Sequence, residues 1–317
     1  MVIEQFEAAQ VQGAKVMVRS EYSLLSNGTE RTIFQRQFDS GTHWDRWVRY
    51  PFFPGYATVG TIMEVGPEVS PLNLGQRIAI RAPHASHHVV GLHACVPIPD
   101  SITFEDAVWF ALGKIGLLAT CAAEVKSGTR VLVVGGGPIA QMVIRWVTLG
   151  SASTVGIVTS DPLRSNAAKA GGATVILNGH SYNYSSRDIE KTLGGKPQVV
   201  LDCTDSIDVL AWALGVVADY GKVVLIGDPG SPHSWRLTSD VLLRAITVTG
   251  VHDHNTYGQW TGHDVSRMFF EKVSSGQIRL DGLCTHTFSP DDALKAYTLL
   301  GRREKGVLGI RFDWRGQ

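Results

Sequence analysis

The chain has 317 residues, of which 44% are hydrophobic and 18% charged, with 29 basic side chains against 29 acidic ones. That length suits two domains, each able to bury its own core, and the even charge offers no field to hold nucleic acid or an anionic membrane surface. The longest apolar run, Ala107 to Ala123, carries Lys114 near its middle and falls short of the roughly 20 apolar residues a membrane helix needs.

The amino terminus, MVIEQFEAAQ, lacks the basic start and apolar run of a signal peptide. Cys95, Cys121, Cys203 and Cys284 are scattered without a CxxC pair, so they read as small buried hydrophobes in a cytoplasmic protein. Up to residue 119 the runs KVMVRSEYSLL, TVGTIMEVG, QRIAIRA and HHVVGLHACVPI are short and β-rich, separated by Gly, Pro and Asn. They predict a compact, partly open β barrel. Over 120–263 the pattern changes to strand, glycine turn, helix: RVLVVGGG leads into PIAQMVIRWVTLG, TVGIVTS into PLRSNAAKAGG, and QVVLDCTD into SIDVLAWALGVVA. The chain is thus α/β, with a second domain built on a doubly wound parallel sheet whose continuous apolar strands require cover on both faces. The tail, 264–317, reads as strand, helix and strand, and is expected to return to the first domain.

The strongest local signal is VLVVGGGPIA, in which Gly135, Gly137 and Ala140 form a GxGxxA pattern between an apolar strand and an apolar-periodic helix. The first glycine permits the tight turn, the second lets backbone approach a pyrophosphate, and the small third residue lets helix pack on sheet. Pro138 and Ile139 open that helix beside the phosphates, and Cys203, Gly227 and Val251 stand at the ends of later strands, where ligands of such sheets gather. The bland alternative is a glycine turn that binds nothing.

At the end of the second strand, about 20 residues on, a ribose-binding carboxylate would select NAD(H). Thr159 holds that position in VTSDPLR, with Ser160 beside it and Arg164 one helical turn away. Hydroxyls and a guanidinium suit a 2′-phosphate, so NADPH is the expected cofactor. Two other readings stand: Asp161 as a displaced ribose ligand, which would favour NADH, and Arg164 as a solvated helix residue.

HASHH (His84, His87, His88) and GVHDHN (His252, Asp253, His254) contain metal-ligand residue types. Strand alternation sends His87 and His88 to opposite faces, so the first group reads as satisfied or exposed histidines, while His252 and His254 share a face if that segment is extended. Lys114, alone among apolar neighbours, needs a partner: a cofactor phosphate, a substrate carbonyl, or water reached by snorkelling.

The order of these parts, together with NGTER (Asn27 to Arg31), PGYATVG, LGQRIAI and KAGGATVIL, resembles the medium-chain dehydrogenase/reductase superfamily over essentially the whole chain. The resemblance implies a GroES-like catalytic domain beside a Rossmann domain, an active site in the cleft between them, and His252 and His254 beside the nicotinamide. It also implies zinc ligands at positions that here hold Asn27, Tyr56 and Phe110 or a near neighbour of Phe110 in VWFALGK. None of these supplies the thiolate, imidazole or carboxylate that zinc prefers, and no four-cysteine loop is present, so a zinc-free branch is expected. Thr29 matches the family hydroxyl that binds an alcohol, and Glu30 replaces a neighbouring Asp.

Without zinc, Tyr56, His252, His254, Lys114 and Thr29 are the groups able to donate to substrate oxygen. They suit reduction of an activated C=C or C=O in a small molecule, and the aromatic set Trp44, Trp47, Tyr50, Phe52, Phe53 and Tyr56 suits a flat or apolar one, unless most of it fills the core. SNGTER and YPFFPGY are also similar to the bacteriochlorophyllide dehydrogenase branch, which gives a second reading as an NAD(H) alcohol dehydrogenase for a large hydroxyl substrate. A non-catalytic NADPH sensor is the third. The apolar strand ITVTGV predicts a homodimer through a sheet edge.

Overall fold

The structure is a computed structural model of the full chain and describes residues 1–7, 9–255 and 258–316. Its strands in chain order are β1 (Lys15–Leu24), β2 (Thr58–Val65), β3 (Arg77–Ile80), β4 (His87–Gly91), β5 (Val96–Pro97), β6 (Arg130–Val134), β7 (Thr154–Thr159), β8 (Val175–Asn178), β9 (Val199–Asp202), β10 (Lys222–Leu225), β11 (Thr247–Gly250), β12 (Cys284–Phe288) and β13 (Gly309–Asp313). The helices are α1 (Asn27–Phe34), α2 (His43–Trp47), α3 (Phe104–Ala107), α4 (Phe110–Ala123), α5 (Pro138–Leu149), α6 (Pro162–Ala170), α7 (Ser186–Leu193), α8 (Val209–Val216), α9 (Asp240–Leu243), α10 (Gly262–Ser274) and α11 (Ala293–Arg302). The chain forms two compact units, one of Met1–Glu30, Pro51–Ala111 and Gly262–Gln317, the other of Arg31–Tyr50 and Leu112–Thr261.

The first unit holds a mixed seven-stranded sheet in the order β12-β13-β1-β2-β3-β5, with β4 also paired to β1. β1 alternates because its side chains do: Val16, Val18 and Tyr22 are buried while Lys15 and Arg19 are exposed. Val16 and Val18 meet Ile62, Ile78, Ile80 and Cys95 in one apolar cluster. β12 and β13 pair in parallel, and β13 lies antiparallel to β1, so the tail completes the sheet that the first residues begin.

The second unit holds a fully parallel sheet in the order β11-β10-β9-β6-β7-β8. Chain order reverses between β6 and β9, the switch point at which open α/β sheets bind ligands. Val131 to Val134 and Val199 to Leu201 are almost wholly buried, as a sheet covered on both faces demands. α4 packs on α5 through Gly116, where a Cβ would lie 2.9 Å from Met142 and Trp146, and Trp146 Nε1 donates to the Gly113 carbonyl at 2.9 Å. The close approach accounts for glycine at position 116.

Residues 31–50, which the sequence groups with the β-rich part, fold with the parallel-sheet unit. Arg31 pairs with Asp205, the Asp39 amide donates to the Gly230 carbonyl at 3.0 Å, and His43 Nε2 lies 2.8 Å from Asp228 Oδ2. The approach at Gly230 is close enough that a Cβ would sit 1.8 Å from the Gln37 carbonyl oxygen. Among the described residues no helix is long and apolar enough to cross a membrane, in keeping with Lys114 interrupting the apolar run.

Candidate functional site

The glycine turn between β6 and α5 is built by three different constraints. Gly135 has φ +94°, a conformation that side chains rarely adopt, and its N–H donates to the Val158 carbonyl at 2.9 Å. Gly136 abuts the end of β7, where a Cβ would lie 2.6 Å from Thr159 Oγ1 and 3.0 Å from Arg164 Cβ. The GxGxxA spacing does not mark this middle glycine. Gly137 caps α5, Pro138 takes the first helical position, and Ile139 is half-buried behind it. Among the described residues, no atom beyond its own neighbours along the chain lies within 4 Å of where a Gly137 Cβ would stand, and the α5 amide ends and helix dipole put partial positive charge there. Gln141 fastens the turn, donating to the carbonyls of Gly136 and Arg164, both at 3.1 Å.

At the end of β7, Thr159 is 6% exposed and turned against that loop, and Ser160 is half-buried. Asp161 caps α6 by accepting the Leu163 N–H at 2.9 Å and lies 3.4 Å from Arg164 Nε. Arg164 is therefore a paired cation rather than a freely solvated one.

The opposite wall comes from the ends of β9, β10 and β11. Cys203 donates its N–H to the Val134 carbonyl at 3.0 Å, and burial pushes its thiol well above the usual range, with the Asp202 charge adding to it. Asp202, which the sequence reading passed over, is 3% exposed and burial raises its carboxyl to about 7, against the opposing pull of the Thr204 hydroxyl and N–H. Gly227 admits no side chain, since a Cβ would fall 1.5 Å from the Thr204 carbonyl oxygen. Val251 continues the ladder, donating to the Leu225 carbonyl at 2.9 Å.

Lys114 does not snorkel to water. Its Nζ donates to the Asp253 carbonyl at 2.8 Å and lies 3.5 Å from Asp253 Oδ1, so α4 tethers the loop after β11. That loop turns instead of staying extended, and it brings His252 beside His254 with ring centroids 4.7 Å apart and the rings tilted by 32°. The His254 N–H donates to His252 Nδ1 at 3.2 Å, which leaves the proton of neutral His252 on Nε2. Burial, and next the charge of His254, lower the His252 pKa.

In the first unit, Tyr56 donates its hydroxyl to Ser26 Oγ at 2.7 Å, with the Arg81 guanidinium 4.7 Å over its ring. Asn27 Nδ2 donates to the Leu308 carbonyl at 2.6 Å, while Oδ1 is buried with no hydrogen-bond partner among the described residues. Thr29 is half-buried on α1. Phe110 is 2% exposed and packs on Phe270. An amide, a phenol and a benzene ring, at the positions where the resemblance implies ligands, do not fit zinc, and among the described residues no group of three or more His, Cys, Asp or Glu could hold a metal ion.

The HASHH histidines differ in surroundings, and His88 is neither exposed nor fully satisfied, its Nε2 being buried with no hydrogen-bond partner among the described residues. His84 reaches Glu30, its Nε2 lying 3.0 Å from Oε2. His88 lies on β4, where burial lowers its pKa to about 4. The aromatic set also divides: Trp44 is buried beside Phe38 and Trp47, but Trp47, Tyr50 and Phe53 are each about half exposed, so they do not fill a core.

A family model for zinc-binding dehydrogenases matches residues 138–266. Sorbitol dehydrogenase from Ovis aries is 25% identical over 283 residues, covering 79% of this chain and 77% of the relative. Galactitol-1-phosphate dehydrogenase from Escherichia coli superposes with TM-score 0.82 at 19% identity, over 99% of this chain and 96% of that one. A short chain alcohol dehydrogenase (rspB) from E. coli CFT073, complexed with NADH, gives TM-score 0.80 at 18% identity over 97% and 94% of the two chains. The structural likenesses establish the fold; the family model over the cofactor half and the relatives over most of the chain add the lineage. This chain belongs to the medium-chain dehydrogenase/reductase superfamily.

Proposed function

We propose that the protein is a zinc-independent, NADP(H)-dependent oxidoreductase that transfers hydride to an activated C=C or C=O bond of a small to medium, apolar or aromatic substrate. The observation that carries this is the state of the ligand positions: the Asn27 amide nitrogen and the Tyr56 hydroxyl are engaged by Leu308 and Ser26, and Phe110 is core. A bound nicotinamide cofactor supplies the hydride. Gly135, Gly137, Pro138 and Ile139 receive its pyrophosphate at the α5 terminus, with Cys203, Gly227 and Val251 along the facing strand ends. Thr159, Ser160 and Arg164 take the 2′-phosphate, for which Arg164 supplies the charge-assisted bond.

Reduction leaves negative charge on substrate oxygen, and a donor must meet it there. Tyr56 is the first candidate. Its O–H bond breaks as the substrate O–H bond forms, the electron pair stays on the phenolate oxygen, and Ser26 turns its own hydroxyl to that oxygen. His252, with its proton on Nε2, and His254 are the second; Lys114 positions their loop, and Thr29 offers a hydroxyl on α1. A conjugated alkene needs the least polarisation and so suits a site that works by hydrogen bonds alone.

A second reading, oxidation of a hydroxyl substrate with NAD(H), is favoured by the sorbitol dehydrogenase relatives. Both readings extend to a cytoplasmic homodimer paired through β11, which lies at the edge of its sheet. The test is oxidation of NADPH with a panel of enones, quinones and aldehydes, beside NAD+ reduction with polyols and alcohols. Enone turnover that falls by roughly 10²–10⁴ in kcat in Tyr56→Phe, His252→Ala or His254→Ala, with cofactor affinity unchanged, supports the first reading. Polyol turnover alone supports the second, and cofactor binding with no turnover marks a sensor.

A further inference from the structure

The roles above leave unused a buried pair, Glu30 and His84, whose side chains are 1% and 6% exposed. A carboxyl group so deep is costly unless its oxygens have hydrogen-bond partners, and here they do. Glu30 Oε1 accepts the Ser26 N–H at 2.7 Å, and Oε2 accepts from the Tyr297 hydroxyl and pairs with His84 Nε2 at 3.0 Å. Burial, and next the Glu30 charge, raise the Tyr297 hydroxyl well above its usual pKa, so it stays a donor. On the far side of the imidazole, His84 Nδ1 is 2.7 Å from Ser23 Oγ, which also accepts Trp314 Nε1–H at 2.8 Å.

Both members of the pair lead to Tyr56. Through Glu30, the Ser26 backbone is fixed, and Ser26 Oγ holds the Tyr56 hydroxyl at 2.7 Å. Through His84, the Tyr56 backbone is fixed: the His84 N–H donates to the Pro54 carbonyl at 2.8 Å. Between them Gly55 has φ +100°, and a Cβ on it would lie 2.8 Å from the His84 ring and backbone nitrogen. The PGY turn is thus folded around this imidazole. The Arg81 guanidinium lies over the Tyr56 ring, 4.7 Å from its centroid.

We infer that Glu30 and His84 are positioning residues that fix Tyr56 from its hydroxyl end and its backbone end at once, and that Ser26 is the hydroxyl that backs it when its proton leaves. The functional part rests on the reading of Tyr56 as a donor. The network ties β1, α1, the turn after β3, α11 and the end of β13 onto one phenol, so the site is held from within the unit instead of by a metal.

The test uses the full chain labelled with [13Cζ]tyrosine, in which the resonance lost in Tyr56→Phe identifies Tyr56 among the eight tyrosines. Ser26→Ala and Glu30→Gln should each move that resonance, and Ser26→Thr should restore it. In turnover of the enone and aldehyde panel, both variants should lower kcat about tenfold with KM for NADPH unchanged, and should add nothing in a Tyr56→Phe background. Ser26→Ala keeps the N–H that Glu30 needs and so tests the Ser26 hydroxyl alone; where Glu30→Gln fails to fold, Glu30→Asp reads the positioning role by the same resonance. An unmoved Tyr56 resonance, or kcat losses that multiply with that of Tyr56→Phe, overturns the positioning role. A parental rate in Tyr56→Phe overturns the donor assignment alone, and the resonance shifts then decide whether the pair sets the hydroxyl.

Discussion

Asp202 makes the fold's pH dependence calculable. It ends β9 at the switch point, 3% exposed, with its carboxylate accepting the Thr204 N–H at 2.9 Å and the Thr204 O–H at 2.7 Å. Burial outweighs those bonds and raises the carboxyl from an ordinary 3.8 to about 7. Between those values the folded chain keeps a proton that the unfolded chain has lost, so stability falls as pH rises through the window, and the loss is complete above about pH 7. A gap of this size is on the order of 4 kcal/mol in full, of which roughly 2–3 kcal/mol falls between pH 5 and pH 8.5. Asp202→Asn mimics the protonated acid at every pH. Its Tm relative to the parent should therefore rise by about 5–10 °C between pH 5 and pH 8.5, at roughly 2–4 °C per kcal/mol for a unit of this size. Calorimetric scans of both proteins at several pH values measure it. A Tm difference that stays flat with pH would mean that the two Thr204 bonds hold the acid ionised in the folded chain.

Three further outcomes follow from the site. Elemental analysis should find less than stoichiometric zinc and activity should survive chelator, because Asn27, Tyr56 and Phe110 stand where ligands are expected; one tightly held zinc per chain would refute this. NADPH should bind more tightly than NADH, and Arg164→Ala should weaken NADPH by roughly 1.5–3 kcal/mol while sparing NADH; tighter NADH in the parent would assign ribose recognition to Asp161 despite its capping role. Light scattering at micromolar concentration should give a dimer mass, and a Lys replacing Val248 on β11 should return the monomer if that edge is the pairing surface.

The parallel-sheet unit was legible because its signals are local. A buried parallel strand writes itself as a continuous apolar run, as Val131 to Val134 does, and a dinucleotide turn writes itself as glycines at fixed spacing. What stayed hidden depends on contacts that no short window contains. Residues 31–50 read as part of the β-rich domain until Arg31 met Asp205 and His43 met Asp228. Gly136 lies outside the GxGxxA spacing, and its role rests on Thr159, whose Oγ1 is 2.6 Å from where a Cβ would stand; the burial of Asp202, 3% exposed, is likewise no property of a short window. Position by position, the sequence could show that Asn27, Tyr56 and Phe110 are poor zinc donors, because that follows from residue type alone. It could not show what holds the site instead, since Ser23, Glu30, His84, Tyr297 and Trp314 come from five separate segments, with Glu30 and Tyr297 standing 267 residues apart. Glu30 alone carried a local hint, as a carboxylate beside Thr29 where the family has a shorter acid. The extra methylene lengthens the side chain that spans Ser26, His84 and Tyr297, so Glu30→Asp, which keeps the charge and shortens the reach, should release Tyr56 nearly as fully as Glu30→Gln does.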